Sequence, residues 1–166
     1  MAPGARLHGR LHRPLHVREA DAGDTAFLAA LYLSTRPELQ ALPVPRSVIE
    51  GIARHQQAQR DAHYAARHPL RQAWVIEHGG QAVGMVLLAQ TGEALRILEL
   101  AVTKHARRQG IARTILRALQ DDCDSRQALA LRVRIDNLAA RKLYDSLGFI
   151  TVDQAETTLE LRWQQG

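Results

Sequence analysis

Hydrophobic and polar positions follow two rhythms along this chain, and the switches between them mark its elements. A short alternating stretch, Leu15 to Arg18, reads as a strand. Asp21 and Asp24 then offer helix N-caps, and Phe27, Leu28 and Leu31 give a first helix its apolar face, with Pro37 just beyond its end. After Pro43 and Pro45, the residues Val48, Ile49, Ile52 and Ala53 share one side of a second helix, which Pro69 stops near His68. The period then falls to two. Ala73 to Glu77 and Ala82 to Leu88 read as strands joined at the hairpin turn Gly79-Gly80, and Leu95 to Val102 is a third strand after the turn Thr91-Gly92. From Gly110 onward Ile111, Ile115, Leu116 and Leu119 return to helical spacing. In Ala128 to Ile135 the residues Leu131, Val133 and Ile135 alternate with Arg132 and Arg134, a strand again. Asn137 opens a helix that turns Ala140, Leu143, Tyr144 and Leu147 inward and stops at Gly148. Two strands, near Phe149 to Val152 and Thr157 to Trp163, close the pattern.

The order β-α-α-β-β-β-α-β-α-β-β predicts an α/β fold of the mixed α+β kind: one domain with a central mixed sheet of about seven strands flanked by about four helices. Its strand-helix-strand centre is a crossover unit, which places two parallel strands in the sheet. At 166 residues, 46% of them hydrophobic, the chain has the size and composition of one globular domain that needs no disulfide or metal to fold. No apolar run approaches the roughly 20 residues needed to cross a bilayer.

Charge changes this picture little. The formal net charge is +5, but Arg6, Arg10 and Arg13 stand before Pro14 without a single acid among them. We therefore expect residues 1–14 to be a disordered basic tail and 15–166 the domain; the tail lacks the apolar core of a signal peptide. Without it the domain is only mildly basic, and nucleic-acid binding loses its main support. The lone Cys123 excludes a disulfide within the chain and fits a reducing cytoplasm. It stands among Asp121, Asp122 and Asp124, whose charges disfavour a thiolate, so we read it as a surface or helix-end residue and not a nucleophile.

The chemistry concentrates between Leu98 and Leu119. An apolar strand ends at Val102, a short basic loop follows, and Gly110 opens an amphipathic helix. A helix N-terminus offers unpaired amides and a partial positive charge, which suits a phosphate if the backbone can come close. Gly110 and Ala112 are small, and Arg107, Arg108 and Arg113 add full charges. The blander alternative is a simple turn beside solvated arginines. The spacing is neither a Walker loop nor a dinucleotide-binding G-x-G-x-x-G.

Two motifs then resemble those of the GNAT N-acetyltransferase superfamily. Arg107-x-x-Gly110-x-Ala112, after the strand Glu99-Leu100-Ala101-Val102, is similar to that family's acyl-CoA-binding motif, Arg/Gln-x-x-Gly-x-Gly/Ala. Asn137-Leu138-Ala139-Ala140-Arg141-Lys142-Leu143-Tyr144-Asp145-Ser146-Leu147-Gly148-Phe149 resembles its Asn-x-x-Ala-x-x-Leu-Tyr-x-x-Leu-Gly-Phe. The resemblance covers Val17 to Trp163, weakly before Ala82 and clearly after Leu95.

The resemblance implies a cytoplasmic N-acetyltransferase that moves an acetyl group from acetyl-CoA directly to a primary amine of a small molecule or peptide, through a tetrahedral intermediate and without a covalent acyl-enzyme. It implies that backbone groups of Leu100, Ala101 and Val102 pair with the pantetheine arm, and that the amides of Arg107, Arg108, Gln109, Gly110, Ile111 and Ala112 hold the pyrophosphate, with Arg113 adding charge. Tyr144 matches the residue that protonates the departing thiolate; it lies seven after Asn137, hence on the same helix face. Its other reading is a core tyrosine beside Leu143 and Leu147. Asn137 is first a helix cap and second a cofactor contact. Glu99 is the acid nearest the cofactor strand and the candidate base, directly or through water. Strand alternation puts it opposite Leu98 and Leu100, unless a bulge changes the face.

Glu93, at a turn, reads as solvated. Ribosomal-protein N-terminal acetyltransferases carry a glutamate on the following strand where this chain has Arg132, a departure that counts against their substrate. Arg132 or Arg134 would instead suit an acceptor with a carboxylate, although a solvated strand face is the stronger reading. His55, His63 and His68 lack metal-ligand spacing, and no metal is assigned. Ser34 and Ser146 lack a triad context. The amine acceptor itself is not specified by the sequence, and a homodimer is expected only because family members commonly dimerise. Two rivals stand beside the enzyme: a non-catalytic acyl-CoA-binding or regulatory domain, and a basic nucleic-acid-binding protein, for which 4% aromatic residues leave few stacking partners.

Overall fold

The computed structural model describes Leu7, Leu11, His12 and residues 14–166 other than 93 and 125. Its elements are β1 (Leu15–Glu19), α1 (Thr25–Ser34), α2 (Pro37–Gln40), α3 (Arg46–Arg67), β2 (Gln72–His78), β3 (Gln81–Thr91), β4 (Ala94–Val102), α4 (Ile111–Asp122), β5 (Ala128–Arg134), α5 (Leu138–Ser146), β6 (Ile150–Gln154) and β7 (Thr158–Gln164). The expected order holds, with one addition. Pro37, read as the stop after the first helix, sits at the N-terminus of the four-residue helix α2, where its missing amide proton costs nothing.

The seven strands form one sheet in the order β1-β2-β3-β4-β5-β7-β6. Only β4 and β5 run parallel, joined by the crossover helix α4, and every other pair is antiparallel. Helices cover both faces. Ile111, Ile115, Leu116 and Leu119 of α4, Tyr144 of α5 and Leu147 just after it pack with Ile76, Val86, Leu88, Ile97 and Leu131 into the main core. On the other face Leu31 of α1 meets Met85 and Leu87 of β3, with Phe27, Leu28 and Tyr64 packed around them. A smaller cluster, Tyr32, Leu39, Ile49 and Ala53, joins α1, α2 and α3 to one another. Val48, expected on the buried side of α3, is 45% exposed.

Of the tail expected at 1–14, residues 1–6, 8–10 and 13 lie outside the described residues, as does Glu93. Leu7 is buried in the main core, Leu11 packs against it, and the Pro14 carbonyl accepts from the Gly79 amide at 2.8 Å. Apolar contact with the domain therefore begins before Leu15. Cys123 corrects its surface reading: it ends α4 but is buried, and burial, reinforced by Asp122 and Asp124, pushes its thiol up to about 11.

Asp24 stands at the N-cap position of α1 and closes a capping box with Asp21 across the short turn before it. It makes no capping bond to α1. Its carboxylate instead receives both Nη atoms of Arg18, at 2.7 and 2.8 Å, and the Asp21 amide at 2.9 Å, while Arg18 Nε reaches Glu77 on β2. A buried carboxylate needs such partners. The fork ties the entry to α1 to the first two strands and pulls the Asp24 carboxyl down to about 2, through the Arg18 hydrogen bonds first. A lowered value in the folded state stabilises above the ordinary carboxylate range and fades as pH falls through the folded value. Asp24→Asn should thus lower unfolding free energy at pH 7 by about 1–3 kcal/mol in urea denaturation. The gap between variant and wild type should shrink as pH falls from 5 to 2, and an undiminished gap at pH 2 would contradict the assignment.

Candidate active site

Strand β4 sets the site. Its pairing with β3 runs Val86↔Leu100 and Leu87↔Glu99, then jumps to Leu88↔Ile97, leaving Leu98 as a bulge. A bulge bends its strand and resets which side chains face each way. Leu95 and Ile97 face the main core, and so do Leu100 and Val102, while Leu98 and Ala101 pack on the α1 and α3 face. Glu99 lies on that second face too, lining a pocket with Ala101. Alternation alone had set Glu99 against both Leu98 and Leu100; the bulge leaves it opposite Leu100 and beside Leu98.

Beyond the bulge the sheet parts. The β4–β5 ladder covers only Ala94 to Ile97 against Ala128 to Leu131, whereas β5 stays paired to β7 along its whole length. Residues 98–102 of β4 therefore have no partner strand on that side. At the opposite edge Gly84 on β3 permits close contact: a Cβ there would lie 2.5 Å from the Ala101 carbonyl.

The basic loop opens at the mouth of this gap. Arg108, with φ 64°, and Gly110, with φ 79°, are both left-handed, and Gly110 caps α4. The Arg107 amide donates to the Lys104 carbonyl, but the amides from Arg108 to Arg113 meet no acceptor among the described residues. Such a run of free amides at a helix start forms an anion-binding nest. A Cβ on Gly110 would touch nothing within 4 Å, so it would point into open space.

That space is a cleft of about 570 Å³ between the N-terminus of α4 and α5. Val102, Arg107, Arg108, Gly110, Ile111, Ala112 and Arg113 line it together with Ala139, Ala140, Lys142, Leu143 and Ser146. No carboxylate is among them. The residues present fit a diphosphate: free amides, basic side chains and no competing acid. Arg107 Nε also bonds the Val102 carbonyl and Arg113 bridges to Ser146 on α5, so these two guanidiniums are fixed in place. Leu100 and Ala101 lie outside the cleft wall, Gln109 folds back onto the His105 carbonyl, and Asn137 caps α5 by accepting from the Ala140 amide. A separate hollow of about 410 Å³ under α5, walled by Leu138, Phe149, Leu159 and Leu161, contains no expected site residue.

The other side of the gap holds a pocket of about 160 Å³. Glu99, on β4, is its acid on the sheet, bonded by the Tyr64 hydroxyl at 2.9 Å and facing Arg60 at 3.6 Å. Arg60 stacks on Tyr32, its Cζ 4.8 Å from the ring centroid, and pairs with Asp61. Tyr64 lies within reach of the carbonyl of the bulged Leu98 as well, at 3.1 Å. Burial first, then the Glu99 charge, hold the Tyr64 hydroxyl protonated well above the usual phenol range. Tyr144 is buried on α5 with its ring edge-on to Phe149. Burial first and the Glu99 charge second push its phenol up to about 12.

Other expectations resolve differently. Arg134 is tied to Asp136 at 2.6 Å and Arg132 leans on Glu160, and neither lines the basic cleft or the small pocket. None of His55, His63 and His68 lines the small pocket. Among the described residues no group of three or more His, Cys, Asp or Glu side chains is placed to hold a metal ion. Ser34 and Ser146 donate to carbonyls one turn back in their own helices.

Sequence reading missed Gln57, Arg60, Asp61 and Tyr64. Their spacing carried a signal: three, four and seven residues apart, they put a polar stripe on the α3 face that meets the sheet, where apolar residues belong.

With this geometry in view, the comparisons decide the family. The family model described as "Acetyltransferase (GNAT) family" matches residues 28–149. The chain belongs to the GNAT acetyltransferase family. Similar solved structures include the PaiA N-acetyltransferase of Thermoplasma acidophilum in complex with coenzyme A, 13% identical, TM-score 0.67, covering 91% of this chain and 99% of that one. The spermidine N-acetyltransferase of Vibrio cholerae, in complex with CoA and spermine, is 16% identical with TM-score 0.64, covering 93% and 97%. The ribosomal-protein-S18-alanine N-acetyltransferase of Escherichia coli is 20% identical with TM-score 0.58, covering 90% and 93%. At these identities the likeness is one of fold. No curated protein sequence matches the chain. Among the described residues no helix of this GNAT protein is long and apolar enough to cross a membrane.

The bulge contact can be tested apart from any reaction. Tyr64→Phe removes one hydroxyl from Glu99 and the Leu98 carbonyl while keeping the ring, and should cost about 1 kcal/mol of stability in urea denaturation. No change would mean that the hydroxyl does not help to hold the bulge.

Proposed function

We propose that this chain is a cytoplasmic N-acetyltransferase that moves the acetyl group of acetyl-CoA directly to a primary amine of a small molecule or peptide. One observation carries the reading: the amide nest and the unpaired end of β4 line one cleft, and Glu99 lies on the opposite face of that same unpaired segment.

Acetyl-CoA supplies an activated thioester and a thiolate leaving group. In this proposal the amides from Arg108 to Arg113, with the charges of Arg107, Arg108 and Arg113, hold its diphosphate, and the unpaired side of Leu100 to Val102 pairs with its pantetheine arm as an added strand would. Gln109 contributes its amide, and Asn137 acts by fixing the start of α5. Glu99 attracts the acceptor ammonium and takes its proton, directly or through water. Tyr144 gives its phenol proton to the departing sulfur. The chain itself forms no covalent bond in this scheme, and its contribution is to position two substrates.

Calorimetric titration of CoA tests the nest. Wild type should bind saturably, and Gly110→Asp, which sets a carboxylate in the nest and strains a left-handed position, should weaken binding by at least tenfold. Equal binding by both proteins would put the diphosphate elsewhere.

Release of free CoA thiol from acetyl-CoA in the presence of an amine panel tests the reaction. Tyr144→Phe should lower kcat by about 10²–10⁴ with CoA affinity unchanged. Because the Tyr144 phenol is raised to about 12, it stays protonated across the usual assay range, and the kcat profile should show no alkaline loss due to Tyr144 below about pH 11. CoA binding without turnover of any amine would favour the regulatory-domain rival.

A further inference from the structure

The small pocket beside Glu99 has two chemically different ends. At the β4 end Glu99 and Ala101 border the parted strands. The register runs Ala73↔Leu87↔Glu99 across three strands, and Arg71, two residues before Ala73, lies in the loop leading into β2 and lines the opposite end. Two strand spacings, roughly 10 Å, separate the β2 and β4 backbones there, a span that a long guanidinium side chain covers together with a short ligand.

The two cations and two carboxylates that line this pocket, Arg60, Arg71, Asp61 and Glu99, are not paired one to one. Glu99 has Tyr64 and Arg60, and Asp61 has Arg60. Arg71 is half-buried and has no carboxylate partner among the described residues. Its surroundings are basic: His68, just before it, is held below its ordinary value by burial and then by Arg96, Arg67, His63 and Arg71. Arg96 is committed to Glu160 at 2.7 Å, which leaves Arg71 as the pocket's guanidinium still open to an anion. A planar guanidinium in this position selects a carboxylate through two parallel hydrogen bonds.

We infer that the acceptor pocket takes a small molecule carrying a carboxylate as well as its amine, the amino-acid class, with the amine toward Glu99 and the carboxylate on Arg71. This rests on the transferase reading for the fate of the amine, but not for the binding itself. The volume, about 160 Å³, is below the roughly 300–1,000 Å³ of pockets that hold drug-sized ligands, and so fits a compact acceptor. A diamine fits worse, because its second ammonium would meet Arg71. The arginines first considered for a carboxylate, Arg132 and Arg134, are held by Glu160 and Asp136.

Binding and turnover separate the two claims. Glycine, alanine, methionine and glutamate, each alongside its α-carboxamide, are titrated calorimetrically into the full chain saturated with CoA. At least one acid should bind tenfold or more tightly than its carboxamide, and Arg71→Gln should abolish that preference while leaving carboxamide affinity and CoA affinity unchanged. Arg71→Lys, which keeps the charge but not the fork, should retain part of it. Equal binding of acids and carboxamides, no binding by any acid, or an acid preference untouched in Arg71→Gln would each overturn the inference. An acid that binds through Arg71 but is never acetylated would uphold it and instead sink the transferase reading. Acetylation of simple amines with no acid preference would do the reverse.

Discussion

Everything at this site depends on how far β4 can stay hydrogen-bonded to β5. A parallel ladder needs both strands to keep one spacing, and β4 loses it at Leu98, where one extra residue bends it away. Because β3 holds β4 on one side and β7 holds β5 on the other, the strands separate without the sheet falling apart. The unpaired segment of β4 borders two compartments on opposite faces of the sheet, Val102 the basic cleft on the α4 and α5 side and Glu99 and Ala101 the small pocket under α1 and α3. Buried backbone that gives up a ladder must find other partners. Tyr64 supplies one for the Leu98 carbonyl and Arg107 one for the Val102 carbonyl, so residues on both faces help to keep the gap open.

The two compartments are electrostatically unlike, and the contrast is built from different materials. The cleft is positive through backbone geometry: free amides ahead of α4, with left-handed Arg108 and Gly110 aiming them outward and arginines around them. Fixed dipoles of this kind bind an anion with little reorganisation. The pocket is built from side chains on α3 and β4, and Arg60 serves as its pivot, stacked on Tyr32 and shared between Asp61 and Glu99. Tyr144 lies buried in the main core, and the Glu99 charge adds to the rise of its phenol. Its two sequence-level readings, core residue and proton donor, are therefore not exclusive: burial among apolar neighbours is what raises its phenol and keeps the proton on it.

Much of this was legible in the residues themselves. Periodicity found the strands and the principal helices because each element buries one face, and a buried face repeats at the period of its backbone. Gly110 was legible for a local reason: a helix start at positive φ needs glycine whatever surrounds it. Asn137 and Gly148 bracket α5 by similarly local bonds. Leu7 was not legible, since an isolated apolar residue among arginines has no period, and only the sheet reveals the surface that it covers. The polar stripe on α3 was visible as spacing but had no meaning until its partner, the bulged strand, was in place.

The sequence by itself thus determined the elements, the glycine turn ahead of α4 and the family motifs, because each of these is encoded within a few neighbouring residues. Tertiary structure decided what depends on residues far apart in the chain. It paired Tyr64 with Glu99, turned Glu99 to the α3 face, gave Asp24 to Arg18 as well as to the turn at Asp21, and tied Arg132 to Glu160 and Arg134 to Asp136. A bulge is defined only against the strand opposite it, and a charge is paired or open only when every neighbour is present. No local pattern holds that information, and for this reason the glycine turn ahead of α4 could be read from the chain while the pocket beside Glu99 had to be seen folded.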